Sequence, residues 1–82
     1  MEELDLHGIS HEQVWDIVEN FVLLNSEKLP LRIVTGLSEK MRKHVTDVLD
    51  FYEFDYEIPI YNNGQINVLQ DKEFLWPRNQ KK

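Results

Sequence analysis

No cysteine occurs in the 82 residues, so disulfides, thiolate-zinc sites and cysteine nucleophiles are excluded together. Long apolar runs are missing too. Nothing approaches the ~18 residues needed to cross a bilayer, and the acidic N-terminus has no apolar segment of signal-peptide length. These absences make the cytoplasm the expected location and remove a membrane from the expected partners. Cations are scarce, with 9 Lys and Arg against 15 Asp and Glu and a net charge of −6. Tight, non-specific nucleic-acid binding depends on neutralising phosphates with Lys and Arg, so this balance argues against a stable coat on DNA. There is no internal repeat and no low-complexity segment. His7 and His11 stand four apart, as H-x-x-x-H, but the first closes a strand pattern and the second opens a helix pattern, so they do not share one helix face and metal binding has little support. No cofactor is therefore expected; a divalent cation such as magnesium is permitted but unsupported by ligand spacing.

What is present fits one small soluble domain. At 41% hydrophobic and 29% charged residues the chain is neither collagen-like nor disordered. A chain of this size buries only about 60% of its unfolded surface, so the core is thin. Leu4 to Gly8 alternates as a strand. Ser10 is a good N-cap for a helix from about His11 to Asn25, with Gln13 completing a capping box. Val14, Ile17, Val18, Phe21 and Leu24 form its apolar stripe, flanked by Trp15 and Val22. Leu29-Pro30 stops this helix, and Leu31 to Thr35 reads as a short buried strand. A second helix from about Glu39 to Tyr52 turns Met41, Val45, Val48, Leu49 and Tyr52 to one side, with Ser38 as its cap.

Tyr56 to Tyr61 alternates as Tyr56, Ile58 and Ile60 against Glu57, Pro59 and Tyr61. Pro59 cannot donate to a ladder, which puts that strand at an edge or a bulge. Asn62-Asn63-Gly64 is a hairpin signal before a last strand from Gln65 to Gln70. The predicted fold is α/β (α+β): a two-layer sandwich of order β-α-β-α-β-β. It has a mixed four-stranded sheet with both helices on one face, because crossovers between parallel strands are right-handed. Residues 1–70 form the domain. Residues 71–82 are a C-terminal tail, partly packed or flexible, in which Phe74, Leu75 and Trp76 are too apolar for full solvation.

The chemistry-bearing stretch is Leu4-Asp5-Leu6-His7-Gly8. Residues two apart in a strand lie roughly 6.6 Å apart on one face, so Asp5 and His7 share a side while Leu4 and Leu6 point the other way. An imidazole with an unperturbed pKa of about 6.5 moves protons near neutrality, and a neighbouring carboxylate stabilises its cation. If the first two strands are parallel neighbours, His7-Gly8 and Thr35-Gly36 emerge side by side at their carboxyl ends, where open α/β sheets gather ligands. The second helix aims its N-terminus there, a favourable place for phosphate, with Gly36 allowing close backbone approach and Lys40 adding charge. Lys40, Arg42, Lys43 and His44 form the one dense basic cluster in the body of the chain.

This order resembles the small MutS-related (Smr) domain family. There the first strand reads L-D-L-H-G or close to it, a helix follows, and a second strand ends in [TH]-G-x-G before a second helix. The first motif is complete from Leu4 to Gly8. The second departs at Ser38, where Thr35-Gly36-Leu37-Ser38 lacks the family's second glycine. The resemblance covers residues 3 to about 70 in order and spacing. It implies an endonuclease or nickase acting on DNA or structured RNA, a transient partner, without choosing between them. His7 would be the general acid or base, Asp5 would hold it, and Gly36 with the backbone of Leu37 and Ser38 would cradle the phosphate. Gly8, Thr35, Lys40, Arg42 and Lys43 complete the implied phosphate-binding set.

Each of these residues has a plainer reading. His7 can be a structural residue bonded to Asp5, Asp5 a solvated strand carboxylate, Gly36 a tight turn, and Thr35 a β-branched strand residue. The basic cluster can be a solvated helix face, His11 should face water, and Trp15 should be core or core rim rather than a base-stacking platform. The alternative function is a non-catalytic nucleic-acid- or protein-binding module, with Arg32, Glu57 and Asn67 lining the uncovered sheet face. A monomer or a weak dimer suits either reading.

Overall fold

The computed structural model describes residues 1–71; the tail residues Phe74, Leu75 and Trp76 lie outside the described residues. Four strands and two α-helices follow in the order β1 (Glu3–Asp5), α1 (His11–Leu24), β2 (Leu31–Val34), α2 (Glu39–Phe51), β3 (Phe54–Glu57) and β4 (Gln65–Asp71), with a 3₁₀ turn at Ser26–Lys28. This is the order and class expected from the pattern. β1 pairs in parallel with β2, placing Asp5 opposite Val34, while β4 pairs antiparallel with both β2 and β3. The sheet order is β1-β2-β4-β3. No helix among the described residues is long and apolar enough to cross a membrane.

Strand alternation sends Leu6, Leu31, Ile33, Ile66 and Val68 to one face, where they are fully buried with Val14, Val18 and Val22 of α1 and Val45, Val48 and Leu49 of α2. Both helices therefore cover the same side of the sheet. The line Val14–Val18–Val22 is the true centre of the α1 stripe. Leu24, expected within it, lies about 120° around the helix from that centre at 100° per residue and is exposed, whereas Val22 is buried. Helix α1 ends before Leu29-Pro30 because Asn25 caps it, its backbone N–H and its side-chain amide both donating to the Phe21 carbonyl.

The edge strand departs most from the sequence reading. It runs from Phe54 to Glu57 rather than from Tyr56 to Tyr61, and its register against β4 shifts between Asp55 and Tyr56. The extra residue is Leu69 of β4, and the edge strand ends at Glu57, before Ile58 and Ile60. Phe54 becomes a core residue, while Ile58 and Ile60 are exposed. Pro59, which has no N–H to give, lies in the loop 58–64, where its carbonyl accepts from the Asn62 N–H at 3.2 Å. The Asn62-Asn63-Gly64 turn is therefore the end of a longer connection than a two-residue hairpin.

The two helix starts look alike in sequence but differ in space. Ser38 Oγ accepts from the Met41 N–H at 3.1 Å, a side-chain cap. Ser10 occupies the N-cap of α1 without any side-chain cap bond, so the expected capping box with Gln13 is not formed. Ser38→Ala is accordingly expected to cost about 1 kcal/mol, and Ser10→Ala a few tenths at most. Urea unfolding of the two variants checks this; equal losses would refute the difference in capping.

Where α1, α2 and β3 meet, the Tyr52 hydroxyl donates to Glu19, and the Tyr56 hydroxyl donates to Asp50 at 3.2 Å. Both phenols are held above their ordinary range. For Tyr52 the main cause is the hydrogen bond to the Glu19 carboxylate; for Tyr56 it is burial, then the charge of Asp50. A raised phenol pKa means that the folded chain holds more protons than the unfolded one once pH passes about 10. Stability from these phenols is complete below that pH and is lost as pH rises through the folded values. Urea midpoints should fall between pH 8 and pH 11, and fall less in Tyr52→Phe; an identical alkaline loss in that variant would exclude Tyr52 as a source.

The opposite face of the sheet carries polar side chains bonded to one another. Arg32 pairs with Glu3 at 3.5 Å, and Asn67 donates to Glu57 at 3.3 Å while accepting from Gln65 at 3.0 Å.

Candidate functional site

Two corners leave the parallel strands side by side. The Leu6 N–H donates to the Val34 carbonyl at 2.9 Å, so pairing continues one residue past β1 before the chain turns. In the turn, the Ile9 N–H returns to the Leu6 carbonyl at 3.0 Å, and Gly8 adopts φ +79°. That angle suits the third position of a type II turn, which favours glycine. Asp5 Oδ1 accepts from the backbone N–H of His7 at 2.9 Å. The carboxylate therefore fixes the corner through the main chain rather than by gripping the imidazole. The His7 ring is exposed and makes no hydrogen bond among the described residues.

The second corner is Thr35-Gly36, with Gly36 at φ +72°. Here the loop before β4 packs in. The Gly64 carbonyl accepts from the Thr35 N–H at 2.8 Å, the Gly36 N–H at 3.0 Å and the Thr35 hydroxyl at 3.2 Å. The Thr35 hydroxyl also reaches the Gly36 carbonyl at 2.8 Å. A Cβ on Gly64 would sit 3.4 Å from the Gly36 carbonyl carbon, in contact with the second corner. Arg42 Nη1 clamps the same loop by donating to the Asn63 carbonyl at 2.9 Å.

These bonds redistribute the phosphate-binding set expected from sequence. Thr35 is buried, and its hydroxyl and the Gly36 N–H face Gly64 rather than a ligand. Arg42 holds a loop, Lys43 pairs with Asp47 at 2.6 Å, and the Ser38 hydroxyl caps α2. The groups left facing outward are the His7 ring, the exposed Leu37 and Lys40, and the first-turn N–H groups of α2 that lack intrahelical acceptors. Glu39 adds a negative charge at that helix start. The geometry suits one phosphate near an imidazole and suits an extended polyanion track poorly.

Sequence reasoning missed Asn63 and Gly64 as partners of the second corner. Their Asn-Asn-Gly signature announced a turn, and only the folded chain shows where it docks. His11, expected in water, is half-buried with its ring centre 5.1 Å from that of His44 on α2. Trp15 is at the core rim, edge-on to Phe51. Among the described residues, no group of three or more His, Asp or Glu could hold a metal ion. No protein-family model, curated protein or solved structure matches this chain.

Proposed function

We propose that this chain is a Smr-like nucleic-acid endonuclease in which His7 serves as general acid or base at the scissile phosphate. The observation that supports it is the adjacency of the two glycine corners, with the His7 imidazole exposed at one and the start of α2 at the other. A phosphodiester at that start would be met by free N–H groups and the positive end of the helix dipole, with Lys40 adding charge. The His7 ring would then take the proton of the attacking oxygen or supply one to the leaving oxygen. On RNA the attacking group is the 2′-hydroxyl; on DNA it is water. Asp5 is a positioning residue, because it holds the His7 main chain.

The test is to incubate the chain with supercoiled plasmid and with a structured RNA, in parallel with His7→Ala. Nicks or RNA fragments from the wild type, lost in the variant, are the expected result. Binding shifts without product from either protein would instead favour the second reading, a non-catalytic module for nucleic acid or protein. That reading draws on the internal commitments of Arg42 and Lys43, which leave Lys40 as the cation of the basic cluster with no partner among the described residues.

A further inference from the structure

His11 and His44 are 33 residues apart in sequence, on different helices, and share no metal-ligand spacing. In the fold their ring centres lie 5.1 Å apart with the planes tilted at 58°. His44 Nε2 is buried and has no hydrogen-bond partner. An orphaned buried nitrogen costs about 1–3 kcal/mol, a large sum for a domain with so thin a core. Both rings belong to the seam between α1 and α2, and neither is among the residues assigned to the His7 corner.

We infer that His11 and His44 chelate a divalent transition metal of the zinc, nickel or copper class across the helix seam. Imidazole nitrogen suits these borderline ions, whereas magnesium and calcium prefer oxygen. The distance fits. With a metal–nitrogen bond of about 2.05 Å, and about 1.15 Å from nitrogen to ring centre, two imidazoles on one tetrahedral ion have centres about 5.2 Å apart. The ion would engage the lone pair of His44 Nε2 and tie α1 to α2. Water would fill the remaining positions, so the site is weaker than a four-ligand structural zinc centre. Neither helix alone carries the pair, which is why the ligand spacing was invisible in the sequence.

Trp15 lies one turn beyond His11 on α1 and reports on the site, because residues four apart on a helix are neighbours. In a Trp76→Phe background, where Trp15 is the one tryptophan left, Cu²⁺ should quench its fluorescence saturably. About 1 mM Zn²⁺ at neutral pH should raise the melting midpoint by about 5 °C. His11→Gln should weaken both effects about tenfold through loss of one ligand, while His7→Ala leaves them unchanged. Because His44→Gln can perturb packing, histidine ring resonances of the unmutated chain give the second measurement. Substoichiometric Cu²⁺ should broaden His11 and His44 before His7. Broadening confined to His7 or to carboxylates, or full Zn²⁺ stabilisation in His11→Gln, overturns the site. So does a wild-type chain that Zn²⁺ fails to stabilise, which would leave the rings as plain packing partners.

Discussion

Phe54→Ala is expected to destabilise the domain by about 3–5 kcal/mol. Phe54 is 1% exposed and heads the fully buried side chains by volume. It opens the edge strand directly after α2 and packs within a core of Val, Leu and Ile. A chain of this length has a total stability of about 4–12 kcal/mol on the usual per-residue scale, so the cavity removes about a quarter of it or more. Ile60→Ala is the matched control. Ile60 is fully exposed, and truncating it should change stability by less than about 0.5 kcal/mol. The pair separates two descriptions of the edge strand: simple alternation from Tyr56 to Tyr61 would make Ile60 the costly residue and leave Phe54 aside. Urea denaturation followed by far-ultraviolet circular dichroism decides between them. A loss below about 1 kcal/mol for Phe54→Ala would refute an edge strand that opens at Phe54 and buries it.

His7→Ala is expected to lower cleavage by about 10²–10⁴-fold, the usual contribution of a positioned acid or base, while leaving the melting midpoint unchanged. The unchanged stability follows from the geometry. The bond that holds this corner runs from the His7 backbone N–H to Asp5, and alanine has the same N–H. Asp5 itself separates positioning from charge. Asp5→Asn keeps an oxygen able to accept from that N–H, so activity should persist within a few-fold. Asp5→Ala removes the acceptor and should cost about tenfold or more through a displaced ring. Single-turnover rates on the preferred nucleic acid, with melting curves for each variant, give both readouts. Cleavage by His7→Ala at wild-type rate would remove His7 from the mechanism, and equal losses in both Asp5 variants would point to charge rather than to the main-chain bond.

Much of the fold was legible because it rests on local rules. Apolar periodicity marked both helices, alternation marked β1 and β4, and a short apolar run marked β2. Ser38 advertised a cap that it forms, whereas Ser10 advertised one that it does not, since a capping bond depends on side-chain orientation that sequence leaves free. The edge strand misled for a different reason. Phe54 and Ile60 have the same parity, so alternation does not say where along that face the strand begins and ends, and only pairing with β4 sets its limits.

The candidate site was legible in its outline and not in its wiring. Leu4 to Gly8 and Thr35-Gly36 showed where the chain must turn, and the parallel pairing of β1 with β2 brought the corners together as expected. Which polar groups remain available is a tertiary matter. Thr35, Gly36 and Arg42 all read as phosphate ligands until the loop 58–64 docks, takes the Thr35 hydroxyl and the Gly36 N–H, and holds Arg42 through one N–H.

The sequence alone determined the element order, the class of sheet, the absence of thiol chemistry and the two glycine corners, because each follows from residue type and short-range periodicity. Tertiary structure decided that Gly64 closes on Gly36, that Arg42 holds the loop 58–64, and that His11 meets His44. Those are contacts between segments far apart in the chain, fixed by how two helices and a loop settle onto one sheet, and no local pattern encodes a distance across that packing.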